Sequence, residues 1–405
     1  MLLNLERARA IMAEQGLDAL VAASPENVTY ASGFANWTIY AFRDLEMYVV
    51  IPREGELSLV AAIDASDYLA QCSPFTARTY LYGTFHVQRR QGVQLTGAEA
   101  QLVAVREEAI HQPGALAALR QALADSGAAS GRVGIDEMGM TPARWQRTVE
   151  ALDGTAIFEA GDLFRRTRMI KTADEIERLR FVVRAVEQGM QAAFDRAAPG
   201  VTEWDLEVAF RTTVAATGAM PGHFETTAGT RSAGCFPASN DYRIQFGDVV
   251  RSDSGGRFKG YWADTGRTAA VGEPPDELVR CYEALQKGIV AICALIRPGV
   301  PVSDLYEARV QTVREAGIPH YQRHHVGHAI GLEIYEAPVL VGQGGSSDIH
   351  RMGTHDLRVE EGMVLNVELP YYELGLGGLQ IEETLVVRAD GSELLTTASR
   401  DLRVW

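Results

Sequence analysis

Pro199-Gly200-Val201-Thr202-Glu203-Trp204-Asp205-Leu206 recurs 99 residues later as Pro298-Gly299-Val300-Pro301-Val302-Ser303-Asp304-Leu305. The agreement continues at the same offset in both directions. Upstream, Ala185 and Gly189 map onto Ala284 and Gly288; downstream, Ala209, Val214 and Gly218 map onto Ala308, Val313 and Gly317. In each copy a helical apolar pattern runs into the Pro-Gly pair, a second one follows, and a glycine stops it before strand-like residues. Such a helix-helix-strand unit cannot bury its apolar face alone. Two copies make one domain with pseudo-two-fold symmetry and a cleft between its halves, where ligands often sit.

The 405 residues suggest two or three domains, at roughly 150 residues each. Hydrophobic residues are 46% and charged residues 22%, which excludes a disordered, collagen-like or coiled-coil chain. The net charge is −15 and there is no Lys/Arg run, which opposes nucleic acid as a partner. No basic amphipathic helix points to a membrane surface either. Cys72, Cys235, Cys281 and Cys293 show neither a C-x-x-C pair nor a zinc-finger spacing, and read as free thiols of a reducing compartment. Glu6, Arg7, Arg9 and Glu14 break any signal-peptide core. No apolar run reaches the length of about 18 residues that a membrane span requires. A cytoplasmic, soluble protein is expected.

Upstream of the repeat, helical and strand-like runs alternate. Leu5, Ala8 and Met12 form a helical stripe that Asn4 can cap. Residues 19–23 read as a buried strand, and 47–51 and 57–62 as two more, joined by a turn at 52–55. No Gly-rich phosphate loop precedes a helix, so no nucleotide site is expected. The expectation is an α/β protein of two domains, 1–167 and 168–405.

The residues suited to chemistry lie in the second domain. Asp253 ends a strand-like run, and Asp264 lies eleven residues on, in a run that starts at Tyr261. If Gly255-Gly256 makes a hairpin turn, both carboxylates face one point across paired strands. Taken alone, an Asp before a turn is more often a turn residue. Four of the nine histidines, His320, His324, His325 and His328, crowd an apolar, Gly-rich stretch. A buried imidazole there needs a hydrogen-bond partner or a metal. Glu368 ends an apolar run and Glu382 lies inside another, fourteen residues on. A buried acid is costly unless paired or bound to metal. Glu383 points the opposite way along the strand and is read as facing solvent. Four carboxylates and an imidazole suit a pair of hard or borderline divalent ions. Such a pair activates water near neutral pH and polarises a carbonyl, which is hydrolysis of an amide or similar bond. No Cys ligand is implied, so a structural zinc site is disfavoured.

An Asp, a second Asp eleven on, then Gly327-His328-x-x-Gly331-Leu332, a Glu and another Glu fourteen on together resemble the pita-bread metallohydrolases of peptidase family M24. These include Xaa-Pro aminopeptidases, prolidases, methionine aminopeptidases and the metal-free creatinases. Leu17-Asp18-Ala19-Leu20, Ser24-Pro25-Glu26-Asn27-Val28 and Gly33-Phe34 resemble a creatinase-like N-terminal domain. Met169-Ile170-Lys171 with Glu175 resembles the usual start of the catalytic domain. The resemblance implies two divalent metal ions per chain, manganese foremost, with cobalt, iron and zinc as the others. It places them on Asp253, Asp264, His328, Glu368 and Glu382. It assigns catalytic roles to Glu368 as proton shuttle and to His324, which helps bind substrate and developing charge. It also implies a homodimer, with His86, Arg89 and Arg90 as candidates to reach a neighbour's cleft; a solvated surface is their plainer reading.

Three positions that the resemblance assigns to substrate binding depart from the family pattern. Phe236 and Tyr335 stand where it has His, and Gln380 where it has Arg. Residues 342–357 lengthen the stretch between His328 and Glu368, either as a surface loop or as a cover over the site. The resemblance implies a dinuclear-metal hydrolase of the Xaa-Pro peptidase type, aminopeptidase or dipeptidase, acting on a small peptide. The altered shell keeps a second reading open, hydrolysis of a small non-peptide or cyclic amide, because fold alone cannot choose a substrate. A non-catalytic binding module is opposed by the retention of all five ligands.

Overall fold

The computed structural model describes residues 2–42, 44–72, 78–235, 237–344 and 357–404. The chain divides into two compact units, Met1–Arg168 and Met169–Trp405. In the first, helix α1 (Leu5–Gln15) is opened by Asn4, whose side chain accepts from the Arg7 N–H. Seven strands follow: β1 (Ala19–Ala22), β2 (Tyr48–Pro52), β3 (Ser58–Ala62), β4 (Arg78–Tyr82), β5 (Ile110–Gln112), β6 (Arg132–Ile135) and β7 (Ala156–Glu159). They form one sheet in the order β5-β4-β3-β2-β1-β6-β7, with β2 antiparallel to β1 and β3. Helix α2 (Ala115–Asp125) buries Ala118, Leu119, Ala122 and Leu123 at i, i+1, i+4 and i+5 in this unit's core. His86, Arg89 and Arg90 are exposed.

The second unit carries the repeat. Helices α3 (Ala173–Arg196) and α4 (Glu203–Ala216) form the first copy, and α5 (Asp276–Leu295) and α6 (Val302–Ala316) the second. Thr172 with Glu175, and Thr202 with Asp205, close capping boxes at the starts of α3 and α4. The two Pro-Gly turns match in detail. The Gly200 N–H donates to Ile244 O and the Gly299 N–H to Val359 O, each at 2.8 Å. Arg243 Nη1 donates to Gly200 O and Arg358 Nη1 to Gly299 O, again each at 2.8 Å. The helices of each pair cross at a glycine: a Cβ at Gly189 would lie 2.5 Å from Val214 Cγ2, and one at Gly288 2.6 Å from Val313 Cγ2. These four residues are the repeat's own equivalents, so the sequence identity records a packing contact made twice.

Each helix pair covers one sheet. Strands β8 (Met220–Ala228), β9 (Val249–Phe258) and β10 (Tyr261–Ala270) run antiparallel under α3 and α4. The short strands β11 (Gly327–Ala329) and β12 (Glu336–Val339) belong with β13 (Val364–Glu368). A small hairpin, β14 (Tyr371–Glu373) and β15 (Gly377–Leu379), separates β13 from β16 (Glu382–Arg388) and β17 (Gly391–Leu394). The second sheet runs β12-β11-β13-β16-β17, and β18 (Arg403–Val404) extends the first beside β10. Val182, Val186, Phe210 and Val250 sit in one apolar core, Leu285, Ile289, Val313 and Leu365 in the other. The sheets meet at β10 and β16. There Arg267 donates to Glu382 O, and from Nη2 to Glu383 Oε1 at 2.9 Å.

Two expectations need correction. Gly255-Gly256 is not a turn: β9 runs on to Phe258, and the chain reverses at Lys259-Gly260, both at positive φ. The glycines serve close approach instead. A Cβ on Gly255 would fall 2.2 Å from His223 Cε1, and one on Gly256 2.8 Å from Val186 Cγ2 in α3. Glu383 does point away from Glu382, but not to solvent, because helices cover that face. It is 2% exposed and held by Arg267 and by Arg400 Nε at 2.8 Å.

The matched glycines give a direct test of the duplication. Gly189→Ala should destabilise the protein by about 1–3 kcal/mol through overpacking, although alanine is the better helix former by about 1 kcal/mol. Adding Val214→Ala should recover part of the loss, and Gly288→Ala with Val313→Ala should behave alike. Denaturant unfolding of the four singles and doubles measures both couplings.

Candidate metal centre

Strand pairing explains how distant carboxylates meet. Asp253 lies opposite Gly266, and Asp264 opposite Gly255, so the two acids are diagonal neighbours on one face of β9 and β10. Glu225 of β8 lies directly opposite Asp253, on the same face. In the second sheet Glu368 faces Glu382, and His328 faces Asn366. Gly266 leaves room where the sheets adjoin: a Cβ there would meet Gln380 Cγ at 2.3 Å and Glu382 Cδ at 2.9 Å.

Asp253, Asp264, His328, Glu368 and Glu382 thereby converge on one pocket. His328 Nε2 is 3.6 Å from Asp264 Oδ2. The His328 Nδ1–H donates to Ala329 O at 3.0 Å, which turns Nε2 inward as a lone pair. Nε2 is buried without a hydrogen-bond partner, and so is Glu368 Oε1. The Asn366 amide donates to Glu382 Oε2 at 3.2 Å and is itself held by Thr384 at 3.2 Å. Arg309 fixes the end of β13 from behind, donating to the carbonyls of Val326 and Glu368.

The remaining predicted residues fall as follows. Gln380 is fully buried and committed to the acids. Its Nε2 donates to Glu382 Oε1 at 2.5 Å and to Asp253 Oδ2 at 3.1 Å. Its Oε1 accepts from Arg251 Nη1 at 3.4 Å and from the Tyr372 hydroxyl at 3.3 Å. Both its polar atoms are thus hydrogen-bonded within the chain, to the two acids on one side and to Arg251 and Tyr372 on the other. The ring of Tyr335 stacks on His328, with centroids 3.6 Å apart and planes at 20°. His324 is exposed at the edge, its ring perpendicular to His325. His320 bonds the Tyr371 hydroxyl at 2.8 Å and has a structural role. Phe236 and residues 345–356 of the 342–357 stretch lie outside the described residues.

Arg323, Arg251 and His223 were not anticipated from the sequence, and His325 was read there only as one of a histidine cluster. His325 Nδ1 lies 3.0 Å from Glu368 Oε1, and Arg323 Nη2 3.8 Å from Glu368 Oε2. Arg251, fully buried on β9, brings a guanidinium to the far side of Gln380. It thus restores a cation close to where the family pattern has Arg. His223, from β8, places Nε2 3.1 Å from Asp264 Oδ1 and 3.4 Å from Asp253 Oδ1. The ligand atoms of His223, Asp253 and Asp264 all lie within 4.8 Å of one another.

The electrostatics are those of anions crowded at a largely buried site. Burial raises the carboxyls of Asp253, Glu368 and Glu382 above the usual range. The charge of Asp264 adds to this at Asp253, and that of Asp253 at Glu382; at Glu368 the Arg323 guanidinium opposes it. Burial and the Asp253 charge likewise push Glu225 up to about 7. Asp264 goes the other way: burial opposes ionisation, but the imidazoles of His223 and His328 hold it low. Burial alone would depress His223, yet Asp253 and Asp264 lift it to about 11. A buried imidazole lone pair, an unsatisfied carboxylate oxygen and surplus negative charge fit a divalent cation.

An N-terminal α/β unit followed by a duplicated helix-sheet domain with an acid-rich centre defines the pita-bread class. The chain belongs to metallopeptidase family M24: residues 177–389 match that family's model, and residues 4–170 match the creatinase/prolidase N-terminal domain. Among its relatives, the probable dipeptidase PepE of Mycobacterium tuberculosis is 30% identical over 247 residues, covering 60% of this chain and 63% of the relative. The Xaa-Pro dipeptidase of Lactobacillus delbrueckii is 24% identical over 99% of both chains. The solved Xaa-Pro dipeptidase from Bacillus anthracis superposes with a TM-score of 0.78 at 23% identity, covering 99% of each chain, which shows the shared fold. Among the described residues no helix is long and apolar enough to cross a membrane.

If a cation relieves this crowding, adding Mn²⁺ to chelator-treated protein should raise the thermal midpoint. The stability gain behind that rise should be about 2.7 kcal/mol per site at 100 times the dissociation constant. Asp253→Asn with Glu382→Gln removes two of the repelling charges. That double variant should melt higher than wild type after metal stripping and lose the Mn²⁺-dependent rise, as scanning calorimetry can show.

Proposed function

We propose that this chain is a divalent-metal-dependent peptidase that hydrolyses small peptides of the Xaa-Pro dipeptide type. The observation that carries the reading is the convergence of Asp253, Asp264, His328, Glu368 and Glu382 on one pocket, with His328 Nε2 and Glu368 Oε1 buried and unpartnered. The family, and relatives named as dipeptidases and Xaa-Pro dipeptidases, support it. The five residues would hold two divalent ions, with manganese as the first candidate for an oxygen-rich set. When bound, such ions supply a water of near-neutral pKa and a polarised substrate carbonyl.

The chain's own residues do the rest. Glu368 Oε1 takes the proton released by the attacking water and returns it to the leaving nitrogen. The Arg323 guanidinium, 3.8 Å from Glu368 Oε2, holds that carboxylate by charge, while His325 Nδ1 accepts from the Gly327 N–H and leaves Oε1 free. His324, exposed beside them, meets the substrate. The Tyr335 hydroxyl takes the donor role that the family pattern gives to an imidazole. Gln380, backed by Arg251, keeps Asp253 and Glu382 at a fixed separation. A cytoplasmic homodimer is the companion expectation.

A smaller amide is the second reading, favoured by Tyr335, whose ring lies flat on His328 where the family pattern has a second imidazole. The two separate by rate. The proposal expects kcat/KM above about 10⁴ M⁻¹s⁻¹ for Xaa-Pro dipeptides, with small N-acyl and cyclic amides well below. The reverse order would establish the second reading. Glu368→Gln should lower kcat by about 10² or more. Activity within a few-fold of wild type, in a variant that keeps its metal, would remove Glu368 from the shuttle role.

A further inference from the structure

His223 is placed with unusual care for a residue of an edge strand. Pro221 pairs with Gly256 and Phe224 with Ser254, so Gly222 and His223 together stand against the single residue Gly255. That is a β-bulge, a device that re-aims a side chain and recurs beside active sites. The bulge works only because two glycines line it. A Cβ on Gly222 would lie 2.9 Å from Gly255 O, and one on Gly255 2.2 Å from the His223 ring. The result is an imidazole laid over β9 with its Nε2 between two acids.

The spacing is that of ligands sharing an ion. Metal bonds of about 2.0–2.1 Å put two tetrahedral ligand atoms about 3.3 Å apart; His223 Nε2 is 3.1 Å from Asp264 Oδ1 and 3.4 Å from Asp253 Oδ1. Asp264 also supplies the link to the second position. Its Oδ1 faces His223 and its Oδ2 faces His328 Nε2, the fully buried imidazole nitrogen without a partner. One carboxylate thus has an imidazole at each oxygen.

Resting on the two-metal reading above, we propose that His223 is a sixth protein ligand, binding the ion held by Asp253 and Asp264. Each metal position would then have its own histidine, His223 at one and His328 at the other, on either side of Asp264. The added nitrogen donor moves the first position away from an all-oxygen set, toward the ions that imidazole suits, zinc and iron over manganese.

The test is a titration of Zn²⁺ into chelator-stripped wild type, His223→Ala and His223→Gln, followed by calorimetry against a competing chelator. Loss of a supporting residue beside a metal ligand costs 10–100-fold in affinity, so loss of a ligand should weaken one of two equivalents at least tenfold. The other equivalent should stay within a few-fold. Two equivalents of unchanged affinity in both variants would overturn the role of His223 alone. A wild type that binds no ion would overturn the metal reading with it. X-ray absorption of the Zn²⁺-loaded wild type needs no variant to fold. One imidazole per zinc is expected, and one per two zincs would contradict the proposal.

Discussion

The second unit turns on the cost of keeping Asp264, Glu368 and Glu382 buried together beside the half-buried Asp253. An isolated buried carboxylate costs several kcal/mol, and these four acids repel one another besides. The fold does not avoid this; it enforces it. Diagonal pairing on β9 and β10 fixes one couple of acids, and direct pairing of Glu368 with Glu382 fixes the other. Arg267 then ties β10 to β16 through Glu382 O and Glu383. The carboxylates cannot splay apart to relax, so the pocket keeps its demand for positive charge.

The duplication is what makes such rigidity possible. Each half supplies a helix pair locked at a glycine, a Pro-Gly turn tied to the strand that follows, and a sheet carrying two acids. Asp253 and Glu368 each end up on the strand that the Pro-Gly turn's arginine leads into, Arg243 before β9 and Arg358 before β13. A centre placed between two similar halves takes ligands from both, and the outward faces stay free to be covered by helices. Glu383 shows the consequence: the strand's other side is interior as well, so its charge is matched by Arg267 and Arg400.

Much of this architecture could be read along the chain. The 99-residue offset exposed the helix pairs because Gly189 with Val214 and Gly288 with Val313 are the same contact. The strands at Asp253, Asp264, Glu368 and Glu382 were visible as apolar runs with acids where acids are costly. What stayed hidden depended on partners across the fold. Gly255-Gly256 resembles a turn until the His223 ring and Val186 are seen against it. His223 sits alone, thirty residues before Asp253, and only the bulge in β8 brings it to the acids. Arg251 and Arg323 are ordinary polar residues in sequence, and Gln380 was legible only as a departure from the family pattern. Their roles come from strand register and from loops that no periodicity describes.

The central claim is that the crowded acids exist to hold divalent ions. Equilibrium dialysis of chelator-treated protein against Mn²⁺, Co²⁺, Fe²⁺ or Zn²⁺, followed by plasma mass spectrometry, tests it most directly. The account predicts uptake approaching about two ions per chain, as a two-metal hydrolytic site requires, with uptake lost in Asp264→Asn. Folded protein that takes up none of the four metals would contradict it.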